Sequence, residues 1–469
     1  MTAPTTRTRV LRLAVVAVAV AFWFVPPPDG LTPAAWRLFV IFAAAILSVV
    51  VNAFPILTAS VFAVAASVLT GLLSPAKAYA GFANGTILLI VVAFLVARAV
   101  VKSGLGARAG YAVVSIFGRS TLGLSYSIFL VDALIAPAFP SNTARSGVIY
   151  PLAFSLAEAG GAKADSDECR RVGGFLMFSG IASLSLSSAL WLTAMVANPM
   201  SAEIARQFNV NMAFGAWTLA AVAPTIVAMI VMPPLLYRVM KPERTSTPEA
   251  PAEARRQLAA MGPLSRDEKI VLAAFAGMVA LWASAATLHI DSTAVAFLGL
   301  GILLSTGVLT LGDIAKEGDV LATFIWFAVL FTLSSQLNEL GFMGFLGQRI
   351  ADSLAGFPVA VVALVLVVAY VLLHYVFVSQ TAHALALFGV FLDVGVRLGV
   401  SAGPLAFQLA FANNYFSAIA PQGSSANLLF AGSGFLSQRD LYRLGGLTTA
   451  VSMAIYLLVG TPWLRLVLR

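Results

Sequence analysis

Two short polar sequences interrupt long apolar stretches of the chain, and each contains three consecutive hydrogen-bonding residues. They are Ser141, Asn142 and Thr143 in the first half and Ser379, Gln380 and Thr381 in the second. Pro140 precedes the first sequence, and proline stops a helix that comes before it. Because serine, asparagine and threonine cap helix N-termini well, each sequence is predicted to begin a helix. The free N–H groups and positive dipole end of such a helix can bind an anion.

The two capping sequences belong to an internal repeat. They are 238 residues apart (379 − 141), and the similar segments that begin at Thr86 and Thr323 are 237 residues apart (323 − 86). Two matches at nearly one separation predict that the repeats bring both capping sequences to one cavity near the middle of the membrane. Such a pair would suit a substrate with two carboxylates. The alternative is that these residues only cap helices.

Charged and titratable residues lie close to the capping sequences. Arg145 and His383 take matching places, each two residues after the threonine. An arginine deep in a membrane is costly unless it faces a cavity or a partner, and its guanidinium can hold a carboxylate with two hydrogen bonds. His383 can add a pH-dependent positive charge, or it can be a neutral core histidine. Asp132 also needs a partner, which is either Arg145 or a backbone group.

A second pair of helix breaks follows the capping sequences. Thr193 lies five residues before Asn198, which Pro199 follows, and Ser417 lies five residues before Gln422. Unwound backbone at these breaks is predicted to expose carbonyl and amide groups to the same cavity. Thr193, Asn198 and Gln422 are therefore further candidates for substrate binding, with weaker support than the capping sequences.

The composition indicates which class of protein must position these residues. Of 469 residues, 60% are hydrophobic and 10% are charged, whereas a soluble domain carries about 25% charged residues. The chain is therefore predicted to be an all-α polytopic membrane protein. Its net charge of +8 lies in short Lys and Arg clusters, which fit cytoplasmic loops better than nucleic-acid binding. Cys169 is the only cysteine, and no metal or other cofactor is expected.

Uncharged stretches of about 20 residues set the expected number of membrane spans. About 11 transmembrane helices are predicted, the first of them within residues 1–30 as a retained helix rather than a cleaved signal. Two stretches, 120–157 and 357–400, fit poorly as simple spans because polar residues lie at their centres. Both are predicted to be re-entrant hairpins, since broken backbone at membrane depth is tolerated only where it lines a cavity inside the protein.

One strongly polar connection divides the chain. Residues 238–269 are basic and contain several prolines, which predicts a flexible cytoplasmic linker between a first repeat, 31–237, and a second repeat, 270–469. The N-terminus is expected on the cytoplasmic side as well, because an even number of spans precedes the linker. Each repeat holds an odd number of spans and a hairpin, so the second repeat must be inverted. Inverted repeats are typical of secondary transporters.

Three segments carry a resemblance to a known family. They are Asp132 to Gly147, Thr193 to Pro199, and Ser379 to His383. They resemble the divalent anion:sodium symporter family, and more closely its exchanger branch, which includes citrate/succinate antiporters and 2-oxoglutarate/malate translocators. The resemblance runs from about residue 81 to 447. It implies a homodimer in which a mobile transport domain carries substrate past a fixed scaffold domain by an elevator motion.

The resemblance also implies roles for particular residues. In that family both capping sequences bind the carboxylates, which carries over to Ser141, Asn142, Thr143, Ser379 and Thr381, with Gln380 in place of the more usual asparagine. The exchangers resemble this chain in placing Arg and His near these sequences, as in Arg145 and His383, and such fixed cations would replace sodium. The resemblance thus implies a sodium-independent antiporter of C4–C6 di- or tricarboxylates in the lipid bilayer of a bacterial inner membrane.

Two alternatives to an antiporter remain at this point. The first is a sodium- or proton-coupled symporter of dicarboxylate or of an inorganic dianion such as sulfate. The second is an intramembrane enzyme that uses His383 as a base. No nucleophile, acid or metal cluster accompanies that histidine in the sequence, so an enzyme is not expected.

Overall fold

The described part of the chain is helical. The computed structural model describes residues 6–163 and 170–468, so Cys169 lies outside the described residues. Their only extended pairing is an isolated bridge between Ser120 and Ser246. Nine of the described helices are long and apolar enough to cross a membrane. The all-α polytopic fold is therefore confirmed, while the count of about eleven spans stays a prediction.

The helices follow one another with short connections. Before the polar connection they are α1 (Thr6–Trp23), α2 (Pro33–Val50), α3 (Ile56–Leu69), α4 (Pro75–Ala78), α5 (Gly85–Ser103), α6 (Leu105–Phe117), α7 (Thr121–Ile135), α8 (Asn142–Ala159), α9 (Arg170–Leu190), α10 (Ala197–Arg206) and α11 (Phe214–Met240). From there on they are α12 (Glu249–Ala260), α13 (Arg266–Leu288), α14 (Ser292–Ser305), α15 (Leu311–Ala315), α16 (Gly318–Glu339), α17 (Phe342–Leu354), α18 (Val359–Leu373), α19 (Gln380–His383), α20 (Gly389–Arg397), α21 (Ala402–Tyr415), α22 (Ser425–Ala431), α23 (Gln438–Ile455) and α24 (Thr461–Val467).

Helix α9 lies at the centre of one group of packed helices. It contacts α7, α8, α11 and α21, and every residue from Val172 to Leu190 is buried. Small residues allow this close packing: a side chain at Gly180 would meet the Phe430 ring at 2.3 Å. A second group forms where α3 and α5 pack on α16. The two capping sequences belong to the first group of helices.

The polar connection, predicted to be a linker over residues 238–269, includes a helix that the sequence did not predict. It contains α12, which packs on α6 through the buried Ala250 and Ala254. The Thr247 hydroxyl donates to the Gly118 carbonyl at 2.8 Å, which fixes the segment before the helix. Overall polarity concealed this helix, because its alanines present a small apolar face while its charged residues face outward.

Two short amphipathic helices were not predicted, although the repeat contains a signal for them. Gly104 and Gly341 adopt left-handed conformations, with φ of 81° and 85°, and each leads directly into α6 or α17. Glycine takes this conformation without the steric cost that a side chain brings. The two glycines are 237 residues apart, so these turns are equivalent positions of the repeat.

Both predicted hairpins form two helices with a break between them. In the first, α7 ends at a 3₁₀ turn, Ala136–Ala138, and α8 begins at Asn142. In the second, α18 ends at the 3₁₀ turn His374–Val376, and a continuous helical segment runs from α19 through a π-helical turn to the end of α20. The Ser141 and Ser379 hydroxyls cap the returning helices, each accepting a backbone N–H at 3.3 Å. The predicted caps are confirmed.

Candidate functional site

The capping sequences Ser141–Thr143 and Ser379–Thr381 form the tips of the two hairpins, and both tips line one cavity. Its volume is about 190 Å³, and the six residues of the capping sequences all contribute to its wall: Ser141, Asn142, Thr143, Ser379, Gln380 and Thr381. These residues are far apart in sequence, so the fold creates the site. The structure thereby brings together six of the eleven predicted site residues.

The tips are in direct contact at equivalent positions of the repeat. The Asn142 amide Nδ2 donates to the Gln380 carbonyl Oε1 at 3.3 Å, and these residues are separated by 238 positions. The Gln380 amide Nε2 then donates to the Asn413 carbonyl at 2.7 Å. Contact between equivalent residues is the geometry expected next to an axis that relates two repeats. The contact at the cavity thus fits the predicted relation between the two repeats.

The helix ends give the cavity its electrostatic character. Helix α8 has 18 residues, and the helical segment that begins at Gln380 continues to Arg397. The N-terminal end of a helix carries about half a positive charge and several unpaired N–H groups. Two such ends at one cavity would suit a molecule with two separated negative charges.

Arg145 lies behind the first tip and not in the cavity wall. Its side chain is fully buried, and its Nη2 donates to the Asn142 side-chain oxygen at 2.6 Å. Its Nε lies 3.6 Å from the Asp132 carboxylate, which also accepts a hydrogen bond from Ser187 at 2.5 Å. Arg145 is thus the partner of Asp132, one of the two alternatives from the sequence. It touches the site through the Asn142 side chain.

His383 is enclosed by aromatic rings and does not reach the cavity wall. Its ring lies 4.3 Å from that of Tyr370 and 4.8 Å from that of Phe416, between centroids. His374 donates through Nε2 to the Gly423 carbonyl, so its Nδ1 accepts from Nδ1 of His383 at 3.4 Å when both rings are neutral. The arrangement corresponds to the neutral core histidine rather than to a cation that holds a carboxylate.

Thr193 and Asn198 hold the helix break in place and do not line the cavity. The Thr193 hydroxyl donates to the Pro137 carbonyl at 2.9 Å. The Asn198 amide donates to the carbonyls of Ser188 and Trp191 at 2.8 and 3.1 Å. Backbone carbonyls freed by the break are therefore satisfied by a side chain, as burial requires.

Gln422 is not the counterpart of Asn198, and Asn427 takes that place. The Asn427 amide donates to the carbonyls of Ser417 and Ala420 at 2.7 and 3.1 Å. These three residues follow Asn198, Ser188 and Trp191 by the same 229 positions (427 − 198, 417 − 188, 420 − 191). Gln422 instead accepts a hydrogen bond from the Tyr442 hydroxyl at 3.3 Å, away from the cavity. The predicted equivalence of Gln422 and Asn198 was wrong because the helix breaks that follow the hairpins are 229 positions apart, whereas the hairpin tips are 238 positions apart.

Several residues of the cavity wall were missed in the sequence. Ser424 and Ser425 follow the helix break between α21 and α22. The hydroxyls of Thr143 and Ser425 lie 2.7 Å apart. Phe94 of α5 and Trp326 of α16 form an apolar part of the wall. The glycine before Ser424 marked a turn, but nothing local indicated that these serines would meet the first tip.

A larger cavity lies elsewhere and contains none of the predicted site residues. Its volume is about 710 Å³, and its wall includes Asn84, Asn211 and Asp291. Glu203 in this wall accepts from the Thr86 hydroxyl at 3.1 Å and pairs with Arg206 at 3.2 Å. The smaller cavity is the candidate site, because the two capping sequences meet only there among the described residues.

A helical membrane fold with a cavity at the start of two broken helices is typical of membrane transporters. The family model for the sodium:sulfate symporter transmembrane region matches residues 7–469. The chain therefore belongs to the divalent anion:sodium symporter family, in the branch that contains the relatives named next.

Comparison with known proteins identifies relatives along nearly the whole chain. It is 38% identical over 453 residues to the putative malate transporter YflS of Bacillus subtilis, covering 96% of this chain and 95% of that protein. It is 36% identical to the chloroplastic dicarboxylate transporter 1 of Arabidopsis thaliana, covering 97% and 82%. It is 29% identical to the citrate/succinate antiporter of Escherichia coli, covering 97% of each chain.

A solved structure shares the fold. The YdaH transporter of Alcanivorax borkumensis matches with a TM-score of 0.56 at 15% identity, over 83% of this chain and 87% of that one.

Proposed function

We propose that this protein is a secondary active antiporter that exchanges C4–C6 di- or tricarboxylates without sodium. The observation that carries the proposal is the meeting of two helix N-termini, capped by Ser141 and Ser379, at one cavity. Two partial positive charges with free N–H groups match the two carboxylates of such a substrate. The relatives named as malate, dicarboxylate and citrate/succinate transporters support the same substrate class.

The electrostatics of the empty cavity support exchange. Two positive helix ends face each other across the contact of Asn142 with Gln380. Without a bound anion, these ends must stay hydrated, because burying uncompensated charge is costly. A bound dianion cancels the charge, so the loaded carrier crosses the membrane more easily than the empty one. Arg145 adds little to this barrier, because Asp132 balances its charge.

The principal alternative is a sodium- or proton-coupled symporter of dicarboxylate or sulfate. This alternative is supported by the name of the matching family model, which describes a sodium:sulfate symporter. A symporter differs from an exchanger in one measurable respect: it accumulates substrate in vesicles that contain none.

We infer the transport mode and location from the resemblance and the charge distribution. The hairpins and α9 form one packed group and α3, α5 and α16 another, which fits a mobile transport domain and a fixed scaffold in an elevator. A homodimer in a bacterial inner membrane is expected, with the N-terminus cytoplasmic because the basic connection 238–269 prefers that side.

Counterflow in proteoliposomes tests the proposal. Vesicles loaded with succinate, malate or citrate, in sodium-free buffer, should take up external labelled succinate rapidly, and unloaded vesicles should take it up slowly. Sulfate is included inside and outside as a further substrate, and protein-free vesicles measure leakage. Fast uptake into unloaded vesicles that requires sodium or a proton gradient would establish the symporter instead.

A further inference from the structure

The two repeats agree at the hairpin tips but differ beside them. With the separation of 229 positions that relates Asn198 to Asn427, Ser424 corresponds to Met195 and Ser425 to Val196. All four of these residues line the small cavity. The cavity therefore has two similar tips, but hydroxyl groups at one flank and apolar side chains at the other.

Contacts assign each flank to one tip. The Ser425 hydroxyl lies 2.7 Å from the Thr143 hydroxyl, so the serine flank adjoins the first tip. Met195 packs against Ala384, which belongs to the helical segment that begins at the second tip. Among the described residues, the Thr381 hydroxyl at that tip has no hydrogen-bond partner. The first tip thus offers a pair of hydroxyls, and the second offers one hydroxyl beside apolar side chains.

We propose that the cavity binds C4 dicarboxylates with a single hydroxyl or oxo group on carbon 2 in one fixed orientation, and that Ser425 determines this specificity. The substituted end of the substrate lies at the first tip, where the substituent hydrogen-bonds to Ser425 and Thr143. This inference rests on the proposed dicarboxylate exchange and adds the substrate subclass and the residue that selects it.

The physical reason is the cost of leaving a buried polar group unpaired. A hydroxyl on the carbon next to the second tip would face Val196, which offers methyl groups and no hydrogen bond. An unsubstituted diacid has no such group and binds in either orientation. A diacid with hydroxyls on both central carbons always places one of them against Val196, so it is a poor substrate.

The first test compares malate with succinate in the Ser425→Ala variant. Removing the hydroxyl should raise the KM for malate about tenfold relative to the KM for succinate, measured by counterflow in proteoliposomes. Ser155→Ala, in α8 and outside the cavity wall, removes a hydroxyl that bonds within its own helix; it is the matched control and should change neither value. An equal change for malate and succinate in Ser425→Ala overturns the inference.

The second test supplies the missing hydroxyl at the other flank. Val196→Thr keeps the volume of the side chain and adds one hydroxyl, so it should improve exchange of tartrate, which has hydroxyls on both central carbons. Unchanged tartrate exchange in Val196→Thr, with succinate exchange intact, also overturns the inference. If the wild-type protein exchanges neither succinate nor malate, the proposed function itself is wrong. If it exchanges both but the variants do not change as expected, only the inference about Ser425 is wrong.

Discussion

Replacing Asp132 with asparagine should destabilise the protein, because it leaves the buried Arg145 guanidinium without a counter-charge. Both side chains are fully buried, with 3.6 Å between Nε and the carboxylate oxygen. At that distance, with an effective dielectric constant of about 20, the attraction is roughly 4–5 kcal/mol. Loss of one partner of a buried pair typically costs about 3–5 kcal/mol, which agrees with this value.

A double variant separates the stability effect from the effect on the site. In Asp132→Asn with Arg145→Met, no buried charge remains, and removal of a whole buried pair is often close to neutral for stability. The Asn142 side chain still loses the hydrogen bond at 2.6 Å that fixes its orientation toward Gln380. We therefore expect thermal stability near that of the wild type together with at least a tenfold loss of exchange.

The assays are thermal unfolding of the purified protein in detergent, followed by size-exclusion chromatography, and succinate counterflow in proteoliposomes. The single variant should show a clearly lower unfolding midpoint than either the wild type or the double variant. If Asp132→Asn unfolds at the wild-type temperature, the ion pair does not stabilise the fold. If the double variant exchanges at the wild-type rate, Arg145 does not position Asn142.

Five further variants test the assignment of roles around the cavity. Asn142→Ala and Thr381→Ala should each weaken substrate binding tenfold or more in counterflow, because a contact to a carboxylate is worth about 1.5–3 kcal/mol, and near-normal exchange in both would contradict the two-tip site. His383→Gln should keep the wild-type dependence of exchange on pH, since the imidazole lies away from the cavity wall, and a flattened profile would show instead that it titrates in the site. Asn427→Ala should lower thermal stability by about 1–3 kcal/mol through two unpaired buried carbonyls, whereas Gln422→Ala should change it by less than about 0.5 kcal/mol; equal effects would restore Gln422 as the equivalent of Asn198.

Local signals allowed the hairpin tips to be predicted from the sequence. Helix capping depends on a few adjacent residues, and the capping sequences at Ser141 and Ser379 carry that information completely. The separation of these two sequences, nearly equal to that of the segments at Thr86 and Thr323, then predicted an internal repeat whose two tips would meet. The Asn142–Gln380 contact confirms that prediction.

The directions of the side chains behind the tips could not be predicted in the same way. A match in position places Arg145 and His383 near the tips but does not say which face of the helix they occupy. The position of each side chain depends on partners distant in the sequence: Asp132 for the arginine, and the rings of Tyr370 and Phe416 for the histidine. The error at Gln422 has a related cause, since a change in length between the two breaks shifts the register and no local pattern reveals it.

The buried residues behind the two tips differ between the repeats, although the tips themselves are similar. Asp132 and Arg145 in the first repeat correspond, at a separation of 238, to Tyr370 and His383 in the second. The first pair is ionic with 3.6 Å between its charged atoms, and the second is an edge-to-face ring contact with 4.3 Å between centroids. Each pair is buried and nearly neutral overall, so neither adds much net charge to the cavity. The attraction for a dianion must then come mainly from the helix ends, which are the feature that both repeats share.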